Sequence, residues 1–357
     1  MKICFLAPAN NYHTKKWCEY FKSKGHEVHV ISFTNDLIDG TTVHYINTKV
    51  NVDDSDLKKI KYLSQVKKVK KIIKEIKPDI INAHYATSYG MVAALCKFKF
   101  ILSVWGSDVY SFPKKSFIHK LYLKYILKKA NCIFSTSNAM KEELKKYTSK
   151  KIYITPFGVK MELFNPDKKD NRYKKYFTIG TVKSLKEKYG IRYIIEAASL
   201  LNKDITNLKV IIAGSGNQEQ ELKELAKEKN VDVDFLGTIS QEEAASLWAN
   251  LDVGIIPSIE DSESFGVSVI EAQASCVPVV VTNVPGLLET TSPDSRMVVQ
   301  KKNVEQISNC IKELYSNNKL RQSLGKKGRK YVLENYEYSK CFKYIEKLFK
   351  DFIKGNK

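Results

Sequence analysis

Several things are missing from this chain, and each absence narrows what it does. Its seven cysteines include no Cys-x-x-Cys pair, which argues for free thiols in a reducing cytoplasm. No apolar run approaches the ~20 residues needed to cross a bilayer. Met1 to Asn10 is too short for the apolar core of a signal peptide and reads as a first strand. There is no short-period repeat, no low-complexity segment, no metal-ligand spacing, and no Ser/His/Asp or Cys/His ordering that marks a nucleophile with its base. Acidic residues are scarce in one half only. Residues 1–165 hold 29 lysines against 13 acidic residues, net +16, while 166–357 carry only +4. A lysine-rich composition alone would raise both halves, so a basic face in the first half is expected, suited to an anionic membrane, an anionic acceptor or nucleic acid.

What is present is enough hydrophobic sequence, 43% of 357 residues, for two cores of ordinary size. Short apolar runs that predict strands alternate with helical spacing. In the first half they are Lys2–Ala7, Val28–Phe33, Asp79–Ala83, Phe100–Val104, Cys132–Thr136 and Ile152–Thr155. Between them helices are predicted from a Thr14 cap to Gly25, over Leu57–Ile76 with nine lysines from Lys58 to Lys77, and over Ser88–Leu95, Phe117–Lys129 and Asn138–Lys146. Gly158 to Pro166 breaks the rhythm, and a polar stretch runs on to Lys175. The alternation then restarts with strands at Phe177–Val182, Leu208–Ala213, Val233–Leu236, Val253–Ile256 and Val279–Thr282. Predicted helices there are Ile191–Leu201, Gln218–Lys229, Gln241–Ala249 and Phe265–Ser275, and three more close the chain. The expectation is α/β: two doubly wound, Rossmann-like domains facing each other across a cleft, 1–165 and 166–337, with the last helix, 338–357, returning to complete the first.

The most informative stretch is Glu263-Ser-Phe-Gly-Val-Ser-Val-Ile-Glu271. An apolar strand precedes it and Pro278 ends the helix that follows. A helix start presents backbone N–H groups and partial positive charge, a natural seat for phosphate. Glu271 lies roughly 12 Å of helical rise beyond Glu263. A ligand with hydroxyls at both ends and phosphate between them fits that layout.

Other candidates fall at predicted strand ends, where ligands bind in open parallel sheets. Lys183 and Lys188 follow the second half's first strand and have the charge to meet a diphosphate. Gly214-Ser-Gly216 allows close backbone approach, but the rest of a dinucleotide fingerprint is missing, so an NAD site is not expected. Asp232 and Asp234 share one face of a strand and read as structural. In the first half, His84 ends one strand and Trp105-Gly-Ser-Asp108 another, with Asp108 either a hydroxyl acceptor or a helix cap. Asn10, Asn11 and His13 occupy the first loop.

Taken together, Gly25 to Val28, Trp105 to Asp108, Pro156 to Val159, Lys188 to Gly190 and the series from Pro257-Ser258 through Glu263, Glu271, Pro278 and Gly286 to Glu289 resemble the retaining family-4 glycosyltransferases of the GT-B fold. The resemblance covers nearly the whole chain, and its spacing from Pro257 to Glu289 is its most specific part. It implies a metal-independent retaining hexosyltransferase without a cofactor. Glu263 would bind donor-sugar hydroxyls and Glu271 the ribose. Amides near Ser264, Phe265, Gly266 and Val267 would hold the distal phosphate beside Gly214, with Lys183 and Lys188 neutralising the leaving diphosphate. Lys183 stands where the family usually has arginine, which loses a bidentate fork. Trp105 stands where many members have a histidine, so that contact would be absent or would fall to His84, His13 or the indole N–H.

The partners implied are a UDP-sugar, or else a GDP-sugar, and a lipid-linked or cell-surface glycan. An anionic membrane at the inner face is expected to meet the basic first domain through Lys58–Lys77 and Lys114–Lys129. A nucleotide-sugar epimerase on the same plan is the nearest alternative. A nucleic-acid-binding protein is the alternative of another class, but no helix-turn-helix, aromatic-sheet or zinc signature supports it.

Overall fold

The computed structural model describes residues 1–50, 60–170 and 172–355. The apolar runs of the first half become seven strands: β1 (Lys2–Leu6), β2 (Glu27–Ser32), β3 (Thr42–Tyr45), β4 (Ile80–His84), β5 (Ile101–Val104), β6 (Cys132–Ser135) and β7 (Ile152–Ile154). They lie in the order β3-β2-β1-β4-β5-β6-β7, every neighbour parallel. The second half gives six: β8 (Phe177–Val182), β9 (Leu208–Ala213), β10 (Val233–Gly237), β11 (Val253–Ile256), β12 (Val279–Thr282) and β13 (Arg296–Val299). Their order is β10-β9-β8-β11-β12-β13, again all parallel. Parallel strands need crossover connections, and here helices supply them, so central strands are covered on both faces and read as unbroken apolar runs. Two Rossmann-like units result. One comprises Met1–Phe157 with the chain from Ser339 onward, the other Gly158–Tyr338.

Strand order reverses beside β1 in the first unit, where β2 and β4 flank it, and beside β8 in the second, where β9 and β11 do. At such a switch point the loops leaving adjacent strands diverge and open a crevice at the C-terminal edge. That position brings together the loops after β1 and β4, and separately the loops after β8 and β11.

The closing helix, Tyr338–Lys354, joins the first unit through an aromatic stack. Phe349 stacks on Phe21 at 5.1 Å and on Phe134 at 6.0 Å, and Phe342 meets the edge of Trp17 at 5.4 Å. Glu346 accepts from His26 Nε2 at 3.2 Å and from the Tyr20 hydroxyl at 3.2 Å.

Several local expectations are corrected. Strands β3 and β13, each at a sheet edge, were not anticipated: Thr42–Tyr45 alternates polar with apolar residues, and Arg296–Val299 offers only the short run Met297–Val299, most of it left unburied. The first helix is capped by Asn11 rather than Thr14: the Asn11 side chain accepts from His13 N at 2.8 Å and Thr14 N at 3.4 Å, and Thr14 is buried a turn inside. Of the expected Leu57–Ile76 helix, residues 57–59 lie outside the described residues, as does Lys58 as a membrane contact. Ile60–Gln65 winds as a tighter 3₁₀ turn, and the α-helix begins at Val66, where no side chain caps it. The segment after β4 is a π-helical turn, Tyr85–Gly90, before an α-helix at Met91–Cys96.

Candidate functional site

In the second unit the loop after β8 carries Lys183, whose Nζ donates to Glu263 Oε1 at 2.6 Å. Both side chains are largely shielded, 13% and 8% exposed. Eighty positions separate the two in sequence, and the adjacency of β8 and β11 brings them together. Tyr189 sits between the lysines, its ring 4.6 Å from Lys183 Nζ and 4.8 Å from Lys188 Nζ. Burial, and then the Glu263 carboxylate, pushes the Tyr189 phenol up, so it stays neutral. Sequence reading named the Lys188–Gly190 motif and missed that both lysines bring their ammonium groups over its tyrosine ring.

Gly214 closes on this loop from β9. Its φ is +134, and a Cβ there would stand 2.0 Å from the Lys183 carbonyl. No other residue fits, so its glycine sets how the Lys183 loop lies against the next strand.

The loop Glu263–Gly266 is mostly buried and leads into the helix Val267–Ala274. The helix opens two residues later than expected, because Gly266 adopts φ −79, ψ 77, outside the helical region. Its start is pinned to the end of β8, since Ser268 Oγ donates to the Val182 carbonyl at 2.6 Å. Gly286 packs so closely that a Cβ would lie 2.1 Å from the Glu263 carbonyl, which holds the loop from behind. One expected phosphate donor is corrected: the Val267 amide already donates to the Phe265 carbonyl at 3.0 Å within its own turn. Phe265 meets Tyr336 edge-on at 5.5 Å. Glu271 is buried one face further along, where the indole Nε1 of fully buried Trp248 donates to Oε2 at 3.4 Å. Trp248 carried no sequence signal beyond an apolar helix position. Asp232 and Asp234 both grip Lys209 Nζ at 2.7 Å, a structural pairing.

In the first unit the C-terminal sheet edge is aromatic. His13 stacks on Phe157 at 3.8 Å, and Trp105 stands edge-on to both at 5.7 and 5.4 Å. Tyr85, held at φ +65, places its ring 4.8 Å from Trp105. A tyrosine in the left-handed region carries backbone strain that its surroundings must offset, a pattern typical of sites. Asn11 is committed to its helix cap, and Asn10 is exposed at the loop tip.

Two first-unit candidates change character. Asp108 is not aimed at a ligand hydroxyl: it is buried and accepts from Ala86 N at 2.9 Å, Gly106 N at 2.9 Å and Trp105 N at 3.2 Å. Burial pushes its carboxyl up and the three amides pull it back. The short helix Ser107–Tyr110 follows Gly106, whose φ of +143 turns the chain so that Asp108 can fold back. Asp108 is therefore a positioning residue that ties the Trp105 turn to the Tyr85 turn. Asp108→Ala strands three buried amides and should destabilise the chain by about 2–4 kcal/mol, read as a lowered urea midpoint with an unchanged m-value. His84 is also corrected as a ligand contact. It is fully buried beneath Trp105, at 4.6 Å, and its Nε2 pairs with Asn82 Oδ1 at 2.9 Å. Of the histidines expected at this edge, only His13 remains partly exposed.

Among the described residues, no group of three His, Cys, Asp or Glu side chains is arranged to hold a metal. No helix among them is long and apolar enough to cross a membrane.

Two family models match the chain in succession, "Glycosyl transferase 4-like" over residues 2–137 and "Glycosyl transferases group 1" over residues 165–331. The capsular polysaccharide biosynthesis glycosyltransferase CapM of Staphylococcus aureus is 27% identical, the match covering 94% of this chain and 93% of CapM. Among solved structures, sucrose-phosphate synthase from Thermosynechococcus elongatus aligns with TM-score 0.85 at 18% identity, over 99% of this chain and 100% of that one. Anabaena HepE, solved in complex with UDP-glucose, aligns with TM-score 0.81 at 16% identity, over 98% and 100%. Identities this low carry the fold alone.

Proposed function

Because the chain belongs to the group 1 glycosyl transferases, we propose that it moves a sugar from a nucleoside-diphosphate sugar to a hydroxyl of a lipid-linked or cell-surface glycan, keeping the anomeric configuration. The observation that carries the reading is the shielded Lys183–Glu263 pair beside the start of the helix Val267–Ala274. Two opposite charges held at 2.6 Å neutralise each other before substrate arrives. A diphosphate offers Lys183 a stronger partner, which frees Glu263 for the hydroxyls of the sugar. Lys188 supplies the second cation, the backbone around Ser264–Gly266 the dipolar end, and Glu271 the ribose contact. In the transfer step the bond from the anomeric carbon to the phosphate oxygen breaks. The acceptor oxygen bonds on the same face, and its proton passes to the departing phosphate. No side-chain base is needed, and lysines with a helix start take the charge-stabilising role.

The donor is assigned to the second unit and the acceptor to the aromatic edge of the first, with His13 and Trp105 as its nearest side chains. The donor base is proposed to be uridine, with guanosine as the alternative. An envelope polysaccharide as product is supported by CapM's role in capsular polysaccharide biosynthesis. The family match disfavours an epimerase.

A thermal-shift panel of nucleotide sugars, followed by transfer assays with and without a chelator, tests this reading. Stabilisation by one UDP-sugar and chelator-resistant transfer are expected; no shift with any member of the panel sinks it. Glu271→Ala should weaken UDP binding about tenfold to a hundredfold, the range for losing a charged hydrogen-bond partner. Calorimetric titration measures it, and an unchanged Kd removes Glu271 from the nucleotide site.

A further inference from the structure

We propose that the helix Phe117–Lys129 seats this protein on an anionic lipid surface by inserting Phe117, Ile118, Leu121 and Tyr125 among the headgroups. The helix is apolar on two faces. Leu123, Ile126 and Leu127 are fully buried and pack against the first unit's core. Phe117 and Ile118 are 71% and 74% exposed, and Leu121 and Tyr125 are 49% and 39% exposed. At about 100° per residue, these four fall within one arc of roughly 100°. A two-faced helix of this kind is costly in water unless its second face also meets an apolar medium.

Charge identifies that medium. From residue 109 to residue 141 the sequence has seven lysines and no aspartate or glutamate. Lys120 and Lys124 border the apolar arc on one side and Lys129 on the other, Lys128 follows Tyr125 within its span at the helix end, and all four are exposed. Lys129 Nζ lies 5.6 Å from the Tyr125 ring, at the join between the basic and apolar zones. Lys114 lies in the turn just before the helix. A basic rim around an exposed apolar strip combines the two signals that stable interfacial anchoring requires. A nucleic acid would use the lysines and leave the apolar strip in water.

The placement in the unit adds direction. The helix connects β5 to β6, two neighbouring parallel strands, so it starts at the sheet's C-terminal edge. Phe117 and Ile118 are therefore at the same edge as Trp105 and His13, and the surface they meet borders the proposed acceptor site. In this respect alone the inference rests on the glycosyl-transfer reading; surface binding itself is measured without turnover.

The experiment is flotation of the full chain with vesicles of phosphatidylcholine alone or mixed with phosphatidylglycerol, at low and high salt. The wild type should float with the mixed vesicles and keep part of that binding at high salt, where screening removes the purely electrostatic share. The variant F117S/I118S/L121S, altered only at exposed positions, should bind at least about tenfold more weakly. K120E/K124E/K128E should lose about a hundredfold on the mixed vesicles. Failure of the wild type to float overturns the proposal. So does equal flotation of the apolar variant, which would leave only a charged surface, or a self-associated wild type that F117S/I118S/L121S disperses without any change in flotation. Thermal shift with UDP-sugar on the same proteins separates the two readings, since donor binding should persist in both variants whatever the vesicles show.

Discussion

Glu263→Ala is expected to lower kcat by about 10²–10³, equivalent to about 2.7–4 kcal/mol, with UDP affinity changed less than about threefold. The asymmetry follows from the proposed roles: Glu263 contacts the sugar that reacts, and the nucleotide is held elsewhere, by Glu271 and the lysines. Removing the carboxylate also leaves Lys183, only 13% exposed, without the partner it holds at 2.6 Å. Lys183→Met should therefore be costly alone, yet the double variant should cost less than the two single changes together, because neither residue is then left as an uncompensated buried charge. Steady-state transfer kinetics and calorimetry on the four proteins measure both quantities. A kcat within about fivefold of wild type for Glu263→Ala, at unchanged stability, would falsify the assignment.

Acid should unfold the first unit earlier than its exposed groups alone predict, and His84 is the reason. Burial lowers its pKa from 6.5 to about 3. Above pH 6.5 the imidazole is neutral in the folded and unfolded chain alike and contributes nothing to pH dependence. Between pH 6.5 and 3 the unfolded chain binds a proton that the folded chain refuses, so stability falls as pH falls. At about 1.36 kcal/mol per pH unit the loss reaches roughly 5 kcal/mol by pH 3, and about 2–3 kcal/mol by pH 4.5. His84→Gln removes the titrating group and retains an amide that can pair with Asn82. Urea unfolding at pH 7.5 and 4.5 should show the wild type losing about 2–3 kcal/mol more than the variant. Parallel pH profiles would show that His84 is protonated in the fold.

The central strands were legible because a buried parallel strand must be apolar on both faces, so Ile3–Leu6 and Val279–Thr282 announce themselves without their neighbours. The edge strands β3 and β13 were not, since Thr42–Tyr45 and Arg296–Val299 are short and little buried, whereas the edge strands β7 and β10 carried enough apolar residues to be read. The Glu263–Glu271 spacing, and the glycines that let chain segments touch, were readable from residue type alone. Left-handed φ and close backbone approach leave few alternatives to glycine, so Gly214 and Gly286 carry their geometry in the sequence.

Residue type was a poor guide wherever a polar side chain has to choose a partner. Asp108 looked equally suited to a hydroxyl or a helix start, and the crossing of two turns gives it three amides. His84 ends a strand as a surface histidine might, and the aromatic layer above it seals it in. Lys183 meets Glu263 only because β8 lies beside β11, a neighbourhood set by chain crossovers and invisible to local periodicity. Phe117–Lys129 has apolar residues on two faces, and sequence cannot say which one the core covers. By itself, then, the sequence determined the two α/β units and the motif positions, which follow from local periodicity and residue chemistry, and those motifs carry the resemblance to the family. Tertiary structure alone decided which charges pair, which histidine is buried and which apolar face stays in water, because each depends on contacts between segments far apart in the chain.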